Sequence, residues 1–221
     1  MGRMARVVMP DVPHHVVQRG NRRQPTFFGA ADYRAYLRLV ACACARTATR
    51  VWAYCLMPNH VHLVMVPSVE DGLRAALSDA HRRYALRINE RFDWRGHLWQ
   101  ERFHSFPMDE EHLLAAVRYV ERNPVTAKLT RTAAQWPWSS ARAHLAGRDD
   151  ALVEVAPMLG RVGDWGAYLR EAPGKEAMEA IVRHTRTGRP LGSADFVATL
   201  EQRLQRTLAP RRRGRRASTA G

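Results

Sequence analysis

The pair His60 and His62 is the feature of this sequence best suited to chemistry. It lies in the segment MPNHVHLVMV at 57–66, where a short run rich in valine and leucine follows a proline. This composition predicts a buried strand. Alternate strand side chains share a face, so both imidazoles project from one side, opposite Val61 and Leu63. Two neighbouring imidazoles are costly to bury unless their nitrogens are used, and a divalent metal ion would use both. The alternative is two surface histidines on a half-exposed strand.

A second candidate pair, Tyr119 and Asn123, lies on a predicted helix over 109–123. The two residues are four apart, on a face about 90° round the helix from its apolar stripe. That stripe consists of Leu113, Val117 and Val120. Pro124 predicts that the helix ends at or near Asn123. A phenol with a pKa near 10 is a weak nucleophile, and it needs a metal-polarised phosphate to attack at neutral pH. The alternative is that Tyr119 packs on the sheet and Asn123 is an ordinary helix-end residue.

The composition favours a polyanionic partner. The 221 residues carry a formal net charge of +14, mostly as arginine, with a sequence pI near 11.0. Arginine grips phosphate with two hydrogen bonds, so nucleic acid is the favoured partner over an anionic membrane surface. No apolar run reaches the roughly 18 residues of a membrane span, and no signal-peptide pattern opens the chain. These features predict a cytoplasmic, nucleoid-associated protein.

The elements that must position the two pairs follow from the hydrophobic pattern. Strands are predicted at 14–19, 51–57, 60–66 and 104–108, and helices from Asp32, over 71–91 and over 109–123. Pro58-Asn59 is a tight connection that predicts a hairpin between the second and third strands. The order is that of a split βαβ unit. We therefore predict an α+β fold, a ferredoxin-like sandwich with an antiparallel sheet, plus a helical C-terminal extension.

Changes in composition divide the chain into three parts. We predict a main domain over 1–147, a helical extension over 148–208 and a basic, disordered tail over 209–221. The three cysteines have no zinc-site spacing and are predicted to be small buried residues.

Several blocks of the sequence resemble one known superfamily. The MPNHVHLV segment is similar to the histidine–hydrophobe–histidine (HUH) motif of the single-strand tyrosine transposases. Four further blocks resemble the same superfamily, in its REP-associated branch, which acts on repetitive extragenic palindromes. These are PHHVVQRGN at 13–21, WQERF at 99–103, VRYVERNPV at 117–125 and WPWSS at 136–140. The resemblance covers about residues 5–147, and the GRPLG turn at 188–192 is also similar.

The resemblance implies roles for the residues already singled out. His60 and His62 would be metal ligands, Tyr119 the nucleophile and Asn123 the third protein ligand of Mg²⁺ or Mn²⁺. It implies a metal-dependent DNA transesterase that nicks and rejoins single-stranded DNA near hairpins through a 5′-phosphotyrosine intermediate. The alternative is a non-catalytic protein of the same fold that binds hairpin DNA or RNA.

The expected partner is single-stranded or hairpin DNA with REP-like palindromes, bound by a monomer or homodimer. Candidate DNA contacts are the basic and polar residues near the motifs, on the second helix and in the tail. They are Arg19, Asn21, Arg22, Arg23, Arg82, Arg83, Arg87, Arg102, Arg211, Arg212 and Arg213.

Overall fold

A four-stranded antiparallel sheet forms the centre of the protein. The structure, a computed structural model, describes residues 5–209. The strands are β1 (His14–Arg19), β2 (Arg50–Met57), β3 (His60–Val66) and β4 (His104–Pro107). Their order across the sheet is β2-β3-β1-β4. With helices between β1 and β2 and between β3 and β4, this is the predicted split βαβ topology.

Within residues 5–209, eight α-helices surround the sheet. Those of the first half are α1 (Ala30–Arg46), α2 (Gly72–Phe92) and α3 (Glu110–Thr126). Those of the second half are α4 (Ala141–Ala146), α5 (Ala156–Leu159), α6 (Trp165–Arg170), α7 (Lys175–Thr187) and α8 (Ala194–Leu204). The residues after 147 therefore add a helical extension, as predicted. Among the described helices, none is both long and apolar enough to cross a membrane.

The two faces of the sheet bury two separate cores. Val61, Leu63 and Met65 of β3 pack with the residues of α1 and α2. Val64 and Val66 of the same strand pack with α3 on the opposite face. The alternation predicted for β3 is therefore confirmed, and it places His60 and His62 on the face that α3 covers.

The hairpin between β2 and β3 is also confirmed, since Met57 pairs directly with His60. The side chain of Asp109 caps α3 by accepting a hydrogen bond from the backbone N–H of His112. Two glutamates follow in the first turn, where negative charge complements the helix dipole.

Two expectations were wrong. The helix α3 does not end at Asn123 but continues through Pro124 to Thr126. A proline inside a helix lacks its N–H donor and crowds the carbonyl four residues before it, but Pro124 stands in the last turn of α3, where its ring is buried. The carbonyls of Asn123, Pro124 and Val125 still accept hydrogen bonds from the three residues after the helix. Cys42 is exposed on α1, whereas Cys44 and Cys55 are buried as expected.

A buried carboxylate ties α3 to the C-terminal helices. Glu121 of α3 is fully buried, and its Oε1 accepts hydrogen bonds from Ser140 Oγ and His144 Nδ1. Its Oε2 accepts one from Trp165 Nε1 at 2.9 Å. Three donors from outside α3 thus fix the position of this helix over the sheet.

Candidate active site

β3 and α3 bring the four candidate residues together. The rings of His60 and His62 have centroids 4.8 Å apart, and the Tyr119 ring lies 5.5 Å from that of His62. Asn123 Nδ2 lies 3.4 Å from His62 Nε2. One strand and one helix therefore place two imidazoles, a phenol and an amide side by side, which is the arrangement that the spacing predicted.

A third histidine, His15 of β1, belongs to the same cluster and was missed at the sequence level. Its Nε2 lies 3.0 Å from His62 Nδ1, and its ring stacks on that of His62 with centroids 5.2 Å apart. Its ring also meets the Tyr119 ring edge-on at 6.1 Å. His15 can be identified only from the pairing of the strands. β1 lies beside β3 with Val17 directly opposite His62, so these two side chains share one face of the sheet. His15 is two residues before Val17 on β1 and therefore lies on that face as well.

Each motif histidine contacts a neighbouring side chain through Nδ1. His60 Nδ1 lies 2.6 Å from Asn59 Oδ1, to which it donates its proton, so its Nε2 carries a lone pair. His62 Nδ1 lies 3.0 Å from His15 Nε2, and the direction of that hydrogen bond depends on the tautomer. In the tautomer with the proton on Nδ1, His62 presents a lone pair on Nε2, which Asn123 Nδ2 faces at 3.4 Å.

Burial keeps both imidazoles neutral. It lowers the pKa of His60 to about 4, and the nearby Arg19 guanidinium acts in the same direction. Burial also holds the pKa of His62 well below its usual value, with smaller contributions from His60, His15 and Arg19. A neutral imidazole is the form that binds a metal ion, so the site is ready for one near pH 7.

Tyr119 is half-buried beside these rings. Burial raises the pKa of its phenol, whereas a hydrogen bond from Asn123 and the charge of Arg19 act to lower it. Arg19 follows His15 and Val17 on the same face of β1, so its guanidinium lies close to Tyr119, His60 and His62. Burial outweighs both effects, so the pKa of the phenol lies above its usual value.

The cluster opens into a cavity of about 250 Å³. Tyr119 and His62 line it, whereas His60 and Asn123 are not among its lining residues. Arg19, Arg23 and Arg102 also line it, so three of the predicted DNA contacts surround Tyr119. The opposite wall comes from α7, which contributes Val182, Thr185 and Arg186. No motif in the sequence indicates that a helix of the extension reaches this cavity.

The loop after β1 holds its arginines in an uncommon conformation. Arg22 and Arg23 both have positive φ, at 54° and 62°. Asn59 Nδ2 holds this loop by donating to the carbonyl of Arg23 at 2.9 Å. Gly20 permits the turn, since a Cβ there would lie 2.4 Å from the carbonyl oxygen of Gln24. Non-glycine residues with positive φ are uncommon and concentrate at functional sites.

The other predicted DNA contacts lie elsewhere. Asn21 and Arg22 line a separate cavity of about 440 Å³. Arg82, Arg83 and Arg87 are on α2, which covers the face of the sheet opposite α3. Asp79 forms ion pairs with Arg82 and Arg83, so part of that charge is neutralised within the helix. Arg211, Arg212 and Arg213 lie outside the described residues.

The donor set at the histidine cluster fits a divalent cation. Both motif histidines are neutral; His60 presents a lone pair on Nε2, and His62 does so in the tautomer that holds its proton on Nδ1. The Asn123 side chain faces one of these nitrogens, and a half-turn of its amide places Oδ1 there instead. Two imidazole nitrogens and an amide oxygen suit Mn²⁺ somewhat better than Mg²⁺.

A second group of side chains with ligand geometry is Asp109, Glu111 and His112 at the start of α3. Its hydrogen bonds already have a structural role. Asp109 Oδ1 caps the helix and accepts from His112 Nδ1 at 2.6 Å. Asp109 Oδ2 accepts from the backbone N–H of Ser193 at 2.8 Å. This group therefore fastens the extension to α3.

Comparisons with known proteins agree with this architecture. A family model described as IS200-like transposase matches residues 9–123. The fold is similar to the structure of a REP-associated tyrosine transposase bound to a REP hairpin, with a TM-score of 0.54 and 18% identity. That match covers 68% of this chain and 90% of the other.

A protein assigned as a transposase in Deinococcus radiodurans R1 is similar at 19% identity, covering 55% of this chain and 97% of its own. Its TM-score of 0.36 is too low to support a shared fold. No curated protein sequence matches at a significant level. The matched segment 9–123 spans the sheet, the histidine pair and Tyr119 through Asn123, so the chain belongs to the IS200-like transposase family.

Proposed function

We propose that the protein is a metal-dependent DNA transesterase that cuts and rejoins single-stranded DNA through Tyr119. The observation that carries the proposal is the contact of the Tyr119 phenol with a cluster of neutral histidines in an arginine-lined cavity. A phosphodiester in that cavity would meet a nucleophile, positive charge and a metal site together.

His60, His62 and Asn123 would hold Mg²⁺ or Mn²⁺, which supplies Lewis-acid polarisation of the scissile phosphate. Tyr119 Oη forms a bond to phosphorus as the bond from phosphorus to O3′ breaks. The products are a free 3′-OH and a 5′-phosphate attached to Tyr119. Because no water is consumed, attack by a 3′-OH on the phosphotyrosine restores the DNA strand. Asn123 and Arg19 partly offset the rise in the pKa of the phenol that burial causes, and the bound metal ion would polarise the phosphate that it attacks.

The proposed substrate is a DNA hairpin with a single-stranded flank. The similar REP-associated transposase is bound to a REP hairpin. In this chain, the net charge of +14 and the arginines around Tyr119 support a polyanion of that kind.

The test is covalent capture with Tyr119→Phe. Hairpin oligonucleotides with a randomised single-stranded flank and a 3′ label are incubated with Mn²⁺ or Mg²⁺, and labelled protein is resolved on denaturing gels. We expect an adduct with the wild type and none with Tyr119→Phe, whose affinity for the hairpin stays within a few-fold. A 5′-labelled fragment should carry a 3′-OH that a polymerase can extend.

Tyr33→Phe is the matched control, because Tyr33 packs on the opposite face of the sheet against Trp138. It should form the adduct at the wild-type level. An adduct that persists in Tyr119→Phe would show that another residue attacks. Hairpin binding without any metal-dependent nicking by the wild type would instead favour the non-catalytic binding protein.

A further inference from the structure

A second cavity adjoins the Tyr119 cavity where the N-terminal arm, β4 and α7 meet. Its volume is about 130 Å³. Arg102, His104 and Arg186 line both cavities, so the two share a wall. The arm and α7 both contribute to the second cavity, and α7 lies outside the residues that the family model matches.

The lining of this second cavity is positively charged. It contains Arg6, Arg102 and Arg186, and no aspartate or glutamate lines it. Arg6 is held in place, since its Nη2 donates to the carbonyl of Phe103 at 3.0 Å and its guanidinium lies over the Phe103 ring. The guanidinium groups of Arg102 and Arg186 have no hydrogen-bond or ion-pair partner within residues 5–209. Guanidinium groups that line one cavity fit a phosphate, since an arginine can donate two hydrogen bonds to phosphate oxygens.

We propose that this cavity is a phosphate subsite for the DNA strand whose scissile phosphate faces Tyr119. Its ligand is a backbone phosphodiester, held by Arg102 and Arg186 with the positive charge of Arg6 beside them. The shared wall makes one continuous strand the natural occupant, since neighbouring phosphates would lie in the two cavities. This inference rests on the proposed function for its substrate, although it concerns binding rather than the chemical step.

The first experiment compares Arg186→Ala with Arg183→Ala in the full chain. Arg183 is on the same exposed helix but lines neither cavity, so its substitution removes equal charge at a matched place. For a hairpin with a single-stranded flank, we expect Arg186→Ala to weaken binding about tenfold and Arg183→Ala to change it less than twofold. The slope of log affinity against log salt should fall by about 0.7 for Arg186→Ala, since one phosphate contact on a single strand is lost.

A methylphosphonate scan identifies the phosphate. Each flank phosphate in turn is replaced by a neutral methylphosphonate, and binding is measured for the wild type and Arg186→Ala. We expect one position at which neutralisation weakens the wild type but no longer affects Arg186→Ala. Arg186→Lys should restore part of the sensitivity at that position. An equal effect of neutralisation on both proteins at every position would overturn the proposal.

Faster nicking in Arg186→Ala would also overturn the proposal, since α7 would then obstruct the strand rather than hold it.

The outcomes distinguish this subsite from the proposed function. If the wild type never nicks DNA but Arg186→Ala loses affinity for the flanked hairpin, the result would support the subsite and refute the transesterase. If the wild type nicks DNA but Arg186→Ala binds the flanked hairpin as tightly as the wild type does, the subsite alone would be refuted. A wild type that binds no flanked hairpin would refute both.

Discussion

At the residue scale, the predicted pairs came together because each obeys a short-range rule. Strand alternation put His60 and His62 on one face, and helical spacing put Tyr119 and Asn123 on another. No local spacing rule links His15 or Arg186 to these four residues. They reach the site through strand pairing and through helix packing over long distances in sequence, which one sequence does not encode as a local pattern.

The contact between His15 and His62 leads to a prediction about metal binding. In the tautomer that binds a metal ion through Nε2, His62 holds its proton on Nδ1, where His15 Nε2 accepts it. His15→Phe removes that acceptor but keeps a ring of similar size. We expect a 10–100-fold loss of Mn²⁺ affinity, measured by calorimetry on the full chain.

His15→Gln should recover part of the affinity, because its amide oxygen can accept the same proton. A far-ultraviolet circular dichroism spectrum identical to the wild type would verify that each variant is folded. Unchanged Mn²⁺ affinity in His15→Phe would mean that other contacts orient His62.

At the scale of elements, the strands and long helices were predictable and the ends and contacts of helices less so. β1 has the predicted bounds, and α2 and β4 differ from prediction by a residue at most at either end. The end of α3 was placed too early because the residue before a proline only tends to avoid helical conformation. At Asn123, tertiary packing overrode that tendency. The position of α3 depends instead on Glu121, whose partners lie 19 to 44 residues away.

The Glu121 network predicts a large effect on stability. Glu121→Ala leaves three buried donors without their acceptor, and we expect it to lower the free energy of unfolding by about 3–5 kcal/mol. Glu121→Gln keeps an acceptor oxygen and should cost less. Urea denaturation measures both.

Glu111→Ala provides the comparison, since Glu111 is exposed on the same helix. Its effect should stay within about 0.5 kcal/mol. Equal losses for Glu111→Ala and Glu121→Ala would contradict the view that the buried network holds α3.

At the scale of the whole molecule, burial of neutral histidines couples stability to pH. Burial lowers the pKa of His14 to about 4 and that of His81 to about 3. In the unfolded chain both titrate near 6.5, so acid protonates the unfolded state first. The contribution of these neutral histidines to the free energy of unfolding is therefore complete above pH 6.5 and is lost as the pH falls toward 4.

We expect the free energy of unfolding to fall by about 1.4 kcal/mol per pH unit for each such histidine in that interval. Urea titrations at pH 7.5, 6.5, 5.5 and 4.5 measure the slope. His81→Gln should flatten it, because glutamine does not titrate and can still accept from the Tyr36 hydroxyl that His81 bonds at 2.8 Å. A slope equal to that of the wild type would show that His81 is not the group responsible.

The wall that α7 gives to the Tyr119 cavity also has a consequence for the timing of biosynthesis. The ribosome finishes α3 at Thr126, whereas α7 ends at Thr187, and the segment that packs Leu200 and Leu208 against Val7 and Met9 of the arm emerges later still. At about 5–20 residues per second, the delay is on the order of seconds. During that interval Tyr119 and the histidines have been synthesised, whereas the side of the cavity that α7 supplies has not. The complete cleft therefore exists only once α7 has been translated.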